Sequence, residues 1–331
     1  MTVIVTGASG HIGANLVRSL LEQGQKVRAL VHTDQRALAG LDVECVPGDI
    51  NDFVSLRQAF TDIDIVYHLA SFVSIQTDEW AKLEATNIAG TRQVIAACQA
   101  SGVRRLVHFS SIHALQKEPF NQPLDEQRPL VDTHSHSPYD RSKAISEHLV
   151  LKAIDEGLDA IILYPTAVIG PNDFKPSHMG QVLLSLARHR LPALVTGGFD
   201  WVDARDVASG AIRAANNAPA GSRYLLSGHW VSVRDLAHFV SLSTGVPAPF
   251  FVCPLKLASI AAPLATSLMR MSGQRALFTS VSLEVLNSHH NISHARATHD
   301  LGYQPRPFEQ TIADTLLWFI DAGYLSPRHA R

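Results

Sequence analysis

A tyrosine and a lysine near the middle of the chain have the types and the spacing of an acid–base pair. Tyr139 and Lys143 stand four residues apart in the stretch YDRSK, so a helix through it places both side chains on one face. A free phenol has a pKa of about 10 and is a poor proton carrier at neutral pH. Because a neighbouring ammonium favours the phenolate, we expect Lys143 to lower the pKa of Tyr139, which then acts as general acid or base.

Two serines and an asparagine complete the predicted catalytic set. Ser110 and Ser111 close a strand predicted over 106–110, and parallel sheets bind their ligands at the carboxyl ends of the strands. We assign Ser111 to the reacting carbonyl oxygen, with Ser110 as its structural neighbour. Asn87 is a polar residue in the mostly apolar helical stretch EATNIAGT. Its amide either holds a water for proton relay or bonds a neighbouring carbonyl.

The stretch TGASGHIG at 6–13 is a glycine-rich turn between a strand-like run and a helix-like run. Glycine lets the backbone approach a pyrophosphate closely, and the amides of the helix N-terminus then point at the phosphates. The turn therefore predicts a dinucleotide cradle. The cofactor contacts assigned to this turn are those of Gly7, Ser9, Gly10, His11, Ile12 and Gly13.

The end of the second predicted strand, 27–31, bears on the choice between NAD and NADP. NAD enzymes usually carry an acidic residue there, whereas this chain has Val31. His32 and Arg36 follow and are suited to a 2′-phosphate, so we favour NADP as the cofactor. Asp34 is an acidic residue that would suit NAD instead. The alternative for His32, Asp34 and Arg36 is that they are loop residues facing water.

Further cofactor contacts are assigned to residues that close the next two predicted strands. Asp49 and Ile50 follow the strand at 43–46, and Asp49 either accepts from the adenine amino group or caps the next helix. The nicotinamide side is assigned to the residues that close the fourth strand, Leu69, Ala70 and Ser71.

The elements that carry these residues alternate between strand and helix through the first half of the chain. Six apolar strands separated by helices indicate an α/β fold, a doubly wound parallel Rossmann sheet covered on both faces. The rhythm changes after Pro165, where a smaller mixed α/β substrate domain is expected. The predicted dinucleotide-binding domain comprises 1–165 and part of 196–228, and the predicted substrate domain comprises 166–195 and 229–331.

The ordered motifs resemble those of extended short-chain dehydrogenases/reductases, within the NAD(P)-dependent epimerase/dehydratase superfamily. They are TGASGHIG, HLAS, TNIAGT, FSSIHA, YDRSK and LYPTAVIGP, followed by WVDARDVASG at 201–210 and LGYQPRPFEQTIADTLLWF at 301–319. The stretches VRALVHT and FSSIHAL resemble the dihydroflavonol-reductase-like and hopanoid-associated epimerase-like branch. There an arginine commonly stands at the position of His32.

The resemblance implies a Rossmann domain that holds NAD(P), with Ser111, Tyr139 and Lys143 as the catalytic triad. It further implies that Lys143 binds the nicotinamide ribose. Members commonly form homodimers through the long helices that follow the fourth and fifth strands. The nicotinamide contacts that the resemblance implies are Pro165, Thr166 and Val168.

The expected reaction is hydride transfer between the cofactor and a carbonyl or CH–OH group of a small, apolar substrate. One alternative is a nucleotide-sugar epimerase or dehydratase, but such epimerases usually carry Tyr-Gly where this chain has Ala114 and Leu115. A second alternative is a non-catalytic NADP-binding regulator. The presence of both Tyr139 and Lys143 argues against it.

The segment 250–273, FFVCPLKLASIAAPLATSLMRMSG, is the most apolar stretch of the second half, and a helix of about 16 residues within it is too short to cross a membrane comfortably. It is a core helix, a wall over the substrate, or a surface that contacts lipid. We predict an apolar pocket near Ser111 and Tyr139, capped by 250–280. A diphosphate would instead need converging cations, and the scattered candidates are Arg188, Arg190, Arg205, Arg234 and Arg275.

Composition excludes several other classes. A formal net charge of −2 gives no basic field for nucleic acid. Three distant cysteines form no disulfide framework, and Met1 leads directly into the first predicted strand, so we expect a cytoplasmic protein. Neither the His134–His136 pair nor the adjacent His289 and His290 completes a metal-ligand set, so no metal site is expected.

Overall fold

The protein has a seven-stranded parallel sheet at its centre, in a computed structural model that describes residues 1–76, 78–131, 136–258, 260 and 286–326. The strand order is β10-β6-β5-β4-β1-β2-β3, and every pairing in it is parallel. The prediction of a doubly wound α/β fold is confirmed. The strands are β1 (Thr2–Thr6), β2 (Lys26–Val31), β3 (Glu44–Pro47), β4 (Ile65–His68), β5 (Arg105–Phe109), β6 (Ala160–Pro165) and β10 (Arg223–Leu226).

Helices cover both faces of this sheet, as apolar strands require. Two helices pack on one face, α1 (His11–Glu22) and α7 (Ala204–Asn217). Three pack on the other face, α2 (Phe53–Ala59), α4 (Thr91–Ser101) and α5 (Pro138–Asp155). The strand order reverses between β1 and β4, and crevices at such a reversal are where open α/β sheets bind ligands.

A second, mixed group of strands and helices surrounds a separate apolar cluster that includes Leu183, Trp201 and Ile312. Its strands pair both parallel and antiparallel. They are β7 (Ala167–Ile169), β8 (Leu194–Val195), β9 (Gly198–Asp203), β11 (His229–Ser232) and β12 (Val252–Cys253). Its helices are α6 (His178–Ala187), α8 (Val233–Thr244) and α10 (Phe308–Asp321).

The chain crosses between the two groups more than once. β9 lies in the second sheet, whereas α7 and β10, from the same predicted stretch 196–228, lie with the first. A late helix, α9 (Ala295–Leu301), packs against α7 and β10. The domain limits therefore stay a proposal. Within the part of the chain that the structure describes, no helix is both long enough and apolar enough to cross a membrane.

The long helical stretch that follows β4 is interrupted. A short α3 (Trp80–Leu83) leads into a π-helical segment, Glu84–Gly90, and then into α4. Wider turns of this kind often occur at functional sites because they redirect side chains. This segment carries Asn87.

Two neighbouring strands carry buried histidines, His68 as the last residue of β4 and His108 next to the last residue of β5. His68 lies in register with His108, and its two ring nitrogens are 2.8 Å and 3.0 Å from the hydroxyls of Thr6 and Thr91. Both ring nitrogens of His108 are buried without a partner among the described residues. Burial lowers the pKa of His68 to about 3 and the pKa of His108 well below its ordinary value.

We expect these histidines to make the fold sensitive to acid. Both are neutral in the folded protein, whereas in the unfolded chain they bind protons below a pKa of about 6.5. Lowering the pH from 7.5 to 5.0 should therefore reduce the free energy of unfolding of the protein by about 2 kcal/mol for each histidine. In His68→Asn, urea unfolding should show a decrease between these pH values that is smaller by about that amount. In the exposed His238→Asn, the decrease should equal that of the parent protein. An unchanged decrease in His68→Asn would contradict this account.

Candidate active site

The local sequence places Tyr139 and Lys143 in the first turns of α5. Ser137 caps this helix by accepting from the amide of Asp140 at 3.2 Å, and Pro138 occupies the first turn. Tyr139 and Lys143 then project from one face into the same cavity. This cavity has a volume of about 1210 Å³ and is also lined by Ser111.

Ser111 and Tyr139 both line this cavity. Ser111 follows β5 and starts a short 3₁₀ turn, where its hydroxyl accepts from the amide of His113 at 3.2 Å. Burial raises the pKa of Tyr139 to about 12, and the nearby Ser111 hydroxyl acts in the opposite direction. The phenol is therefore protonated at neutral pH and suited to donate a proton.

Lys143 is 3% exposed, and its ammonium donates to the carbonyl oxygen of Phe109 at 2.8 Å. Burial lowers the pKa of Lys143 to about 8, while the carboxylate of Glu147 acts to raise it. A pKa of Tyr139 lowered by Lys143 and the nicotinamide charge together stays a prediction. In the protein without cofactor, burial, which disfavours the phenolate, dominates at Tyr139.

Asn87 uses its whole hydrogen-bonding capacity within the protein. Its amide donates to the carbonyl of Phe72 at 3.0 Å and to the hydroxyl of Ser142 at 2.9 Å. Its oxygen accepts from the Ser71 hydroxyl at 3.0 Å and the Phe72 amide at 2.8 Å. Of the two roles considered, the geometry matches the bond to a neighbouring carbonyl. Asn87 thereby ties the loop after β4 to α5 and leaves no amide hydrogen for a relay water.

The glycine turn fits a pyrophosphate. Gly7 has a φ of +71°, and a Cβ there would lie 2.7 Å from the amide nitrogen of Ala70. A Cβ at Gly13 would collide with the carbonyl oxygen of Gly7, so the turn packs tightly against itself and against the end of β4. α1 starts after Gly10 with no side-chain cap and no acidic residue in its first turn. Its free amides and dipole are therefore available to an anion at the cavity wall.

The residues predicted around the adenosine lie on loops beside this turn. The Ser9 hydroxyl donates to the carbonyl of Asp34, and the exposed Arg36 guanidinium is held by the Asp34 carboxylate at 2.6 Å. This pairing lowers the pKa of Asp34 to about 2. His32 is exposed. Lys175, which precedes α6 and lines the cavity, adds a positive charge that also acts on Asp34, and sequence reasoning missed it.

Asp49 organises its own loop. Its carboxylate accepts from the amide of Asn51 at 2.9 Å, whereas α2 is capped by Asp52. The alternative role of Asp49 as the cap of that helix is therefore wrong, and its contact with adenine stays a prediction.

The cavity brings together most of the predicted site. The predicted residues that line it are Gly7, Gly10, His11, Ile12, Gly13, Leu69, Ser71, Ser111, Tyr139, Lys143, Pro165, Thr166 and Val168. Those that do not line it are Ser9, His32, Arg36, Asp49, Ile50, Ala70 and Asn87.

Two further acidic side chains support the site and were missed by sequence reasoning. Asp200 is 5% exposed and accepts from the Thr166 hydroxyl at 2.7 Å and the Gly228 amide at 2.8 Å. Asp140 lies 3.1 Å from Nδ1 of His113, whose ring meets the Tyr139 ring edge-on at 5.7 Å. Both sets of contacts join residues that are far apart in the sequence, so no local motif predicts them.

The cavity has many apolar lining residues besides the predicted ones, together with polar side chains such as Lys117, Glu118, His178 and His289. The apolar ones include Leu115, Leu124, Met179, Val182, Leu191, Phe199, Trp201 and Leu236. Of the segment predicted to cap it, 250–280, the described residues 250–258 and 260 do not line the cavity, so that part of the prediction is wrong. These residues form β12 and the exposed stretch around it. Residues 259 and 261–280 lie outside the described residues.

The candidate cations for a diphosphate do not converge on the cavity. Arg205 is paired with Asp203 at 2.7 Å and with Asp314 at 2.8 Å. The guanidinium of Arg188 donates to the Tyr324 carbonyl. Arg190 and Arg234 are absent from the described lining, and Arg275 lies outside the described residues.

Comparison with known proteins identifies the family. The sequence model of the "NAD dependent epimerase/dehydratase family" matches residues 3–227. The chain belongs to this family. It is 37% identical over 329 residues to "Sterol demethylase protein B" of Methylococcus capsulatus, covering 98% of this chain and 100% of the relative.

Two more similarities span nearly the whole chain. A "Putative dihydroflavonol 4-reductase" of Synechocystis sp. is 32% identical over 327 residues, covering 97% of this chain and 95% of the relative. The crystal structure of gox2253 superposes with a TM-score of 0.86 at 31% identity, covering 98% of this chain and 99% of that one. The predicted resemblance to this superfamily and its reductase-like branch is confirmed.

The glycine turn gives a direct test of the cradle. We expect Gly13→Ala to displace the Gly7 carbonyl and to weaken binding of NAD or NADP at least tenfold, about 1.4 kcal/mol. Gly24→Ala is the control for a general loss of stability, because its φ of +71° strains an alanine although the added Cβ meets nothing within 4 Å. Titration followed by tryptophan fluorescence measures both. Equal affinities for Gly13→Ala and the parent protein would show that the turn is not the phosphate cradle.

Proposed function

We propose that the protein is an NAD(P)-dependent oxidoreductase that acts on a carbonyl or CH–OH group of a small, apolar substrate. The observation that carries this proposal is the presence of Ser111, Tyr139 and Lys143 together in the wall of one cavity that also contains the glycine turn. The lining of the same cavity includes many apolar side chains, which suit an apolar substrate.

Each side chain has a role that follows from its surroundings. The bound cofactor supplies or accepts a hydride at its nicotinamide ring. Tyr139, protonated at neutral pH, donates its proton to the substrate oxygen during reduction and takes it back during oxidation. Ser111 holds both the phenol and the substrate oxygen. Lys143 orients the nicotinamide ribose through its ammonium.

The apolar substrate is supported by the lining and by the relatives. A sterol is a largely apolar molecule, and the first relative is named for sterol demethylation, while the second is named as a putative reductase. The nucleotide-sugar alternative is less well supported, because none of the arginines considered for a diphosphate is among the described residues lining the cavity, whose lysines are Lys117, Lys143 and Lys175. The regulator alternative does not account for the assembled Ser111, Tyr139 and Lys143. The homodimer and the cytoplasmic location stay predictions.

Tyr139→Phe tests the proposed acid. It keeps the ring but removes the proton, so we expect kcat with an apolar ketone to fall by about 10² to 10⁴ while cofactor affinity is retained. A panel of apolar ketones and alcohols, with UDP-sugars for comparison, supplies the substrate. Tyr224→Phe is the control, since its hydroxyl donates to the carboxylate of Asp300 at 3.1 Å and the residue is absent from the described cavity lining. Wild-type turnover by Tyr139→Phe would refute the assignment.

We further propose that NADP is the preferred cofactor. The support is Val31 in place of an acid, with His32, Lys175 and the Asp34-paired Arg36 near the adenosine end.

Lys175→Gln should weaken NADP binding about tenfold while NAD binding changes less than about twofold, because only NADP carries the 2′-phosphate. Lys152→Gln, an exposed lysine on α5, is the control. Isothermal titration of both cofactors measures the difference. Tighter binding of NAD than of NADP by the parent protein would reverse this choice.

A further inference from the structure

Glu147 is a fully buried carboxylate that the proposed chemistry does not use. It lies on α5 one turn after Lys143 and is 0% exposed. Its two oxygens accept from the Ser110 hydroxyl at 2.6 Å and from the Tyr164 hydroxyl at 2.5 Å. Short bonds from hydroxyl donors are those that a charged carboxylate makes.

These contacts join three segments of the site. Ser110 directly precedes Ser111 at the end of β5. Tyr164 belongs to the end of β6, immediately before Pro165 and Thr166 in the cavity wall. One side chain of α5 therefore fixes the ends of two strands relative to the helix that carries Tyr139 and Lys143.

Burial alone would favour the neutral acid, and it raises the pKa of Glu147. Four neighbours act in the opposite direction: the hydroxyls of Ser110 and Tyr164, and the charges of Lys143 and Arg223. A buried carboxylate destabilises the fold unless neighbouring groups compensate its charge, and an apolar side chain of similar size is often at least as stable in such a position. The presence of Glu147 here therefore points to a role for its negative charge.

The surroundings of Lys143 show where that charge acts. The groups that face Lys143 from β4 and β5, His68 and His108, are neutral because burial lowers the pKa of each. Tyr139, on the same helix, is a neutral phenol at neutral pH. Among the described groups, Glu147 is the one that acts to raise the pKa of Lys143 against burial.

We propose that Glu147 is a positioning residue whose carboxylate keeps Lys143 protonated and holds Ser111 and Lys143 in a common frame. This inference rests on the proposed function for its place in catalysis. Its electrostatic part concerns the protein alone and is measured without substrate or cofactor.

The first test is the titration of Lys143 followed by NMR with ¹³Cε-labelled lysine, assigned with Lys143→Arg. The parent protein should show a midpoint near 8. Glu147→Gln keeps the shape and removes the charge, so the midpoint should fall by about one pH unit. Glu126→Gln, which replaces a buried glutamate bonded to the Leu225 amide, should leave it unmoved. A midpoint in Glu147→Gln within about 0.2 units of the parent value would overturn the proposal.

The second test is the alkaline limb of kcat/KM with NADPH and an apolar ketone. In Glu147→Gln the limb should move to lower pH by the same interval as the NMR midpoint. A loss of kcat and thermal stability with an unmoved limb would reduce Glu147 to a structural role and overturn its part in catalysis. If the NMR midpoint moves while Tyr139→Phe keeps full turnover, the proposed function fails but the electrostatic pairing stands.

Discussion

The ammonium group of Lys143 is held at the carboxyl end of β5 by the Phe109 carbonyl, 2.8 Å away, with almost no access to solvent. Removing such a charge from water is costly, so its environment must be arranged around it. His68 and His108, near the ends of β4 and β5, are neutral, and Glu147, one turn further along α5, acts to raise the pKa of Lys143. Tyr139 lies one turn before Lys143, so both side chains share one face of α5.

The same burial determines the protonation states of the site. Under the proposed function, a phenol that is protonated at neutral pH and lies with Ser111 in the cavity wall serves as the acid that meets the substrate oxygen. An amide at Asn87 that is saturated by protein groups gives rigidity to the loop that carries Ser71. The cavity thus brings Ser111 and Tyr139 together with the uncapped N-terminus of α1 and many apolar lining residues.

The features that sequence predicted are those with local signatures. The turn at 6–13 lies between a strand and a helix, and the spacing of Tyr139 and Lys143 fixes a shared helical face whatever the tertiary context. What sequence did not predict depends on residues far apart in the chain, such as Asp200 with Thr166 and Glu147 with Ser110. The effect of burial on Tyr139 was missed for the same reason, because desolvation depends on the packed fold and the spacing of Tyr139 and Lys143 does not reveal it.

The most direct measurement of the central claim follows a labelled hydride. The enzyme is supplied with NADPH that carries deuterium at C4 of the nicotinamide, on the transferred face, and with an apolar ketone. Mass spectrometry should find one deuterium on the carbinol carbon of the alcohol formed, with an equal amount of cofactor oxidised. Turnover of a UDP-sugar alone, with no net cofactor oxidation and no label in an apolar product, would contradict the account.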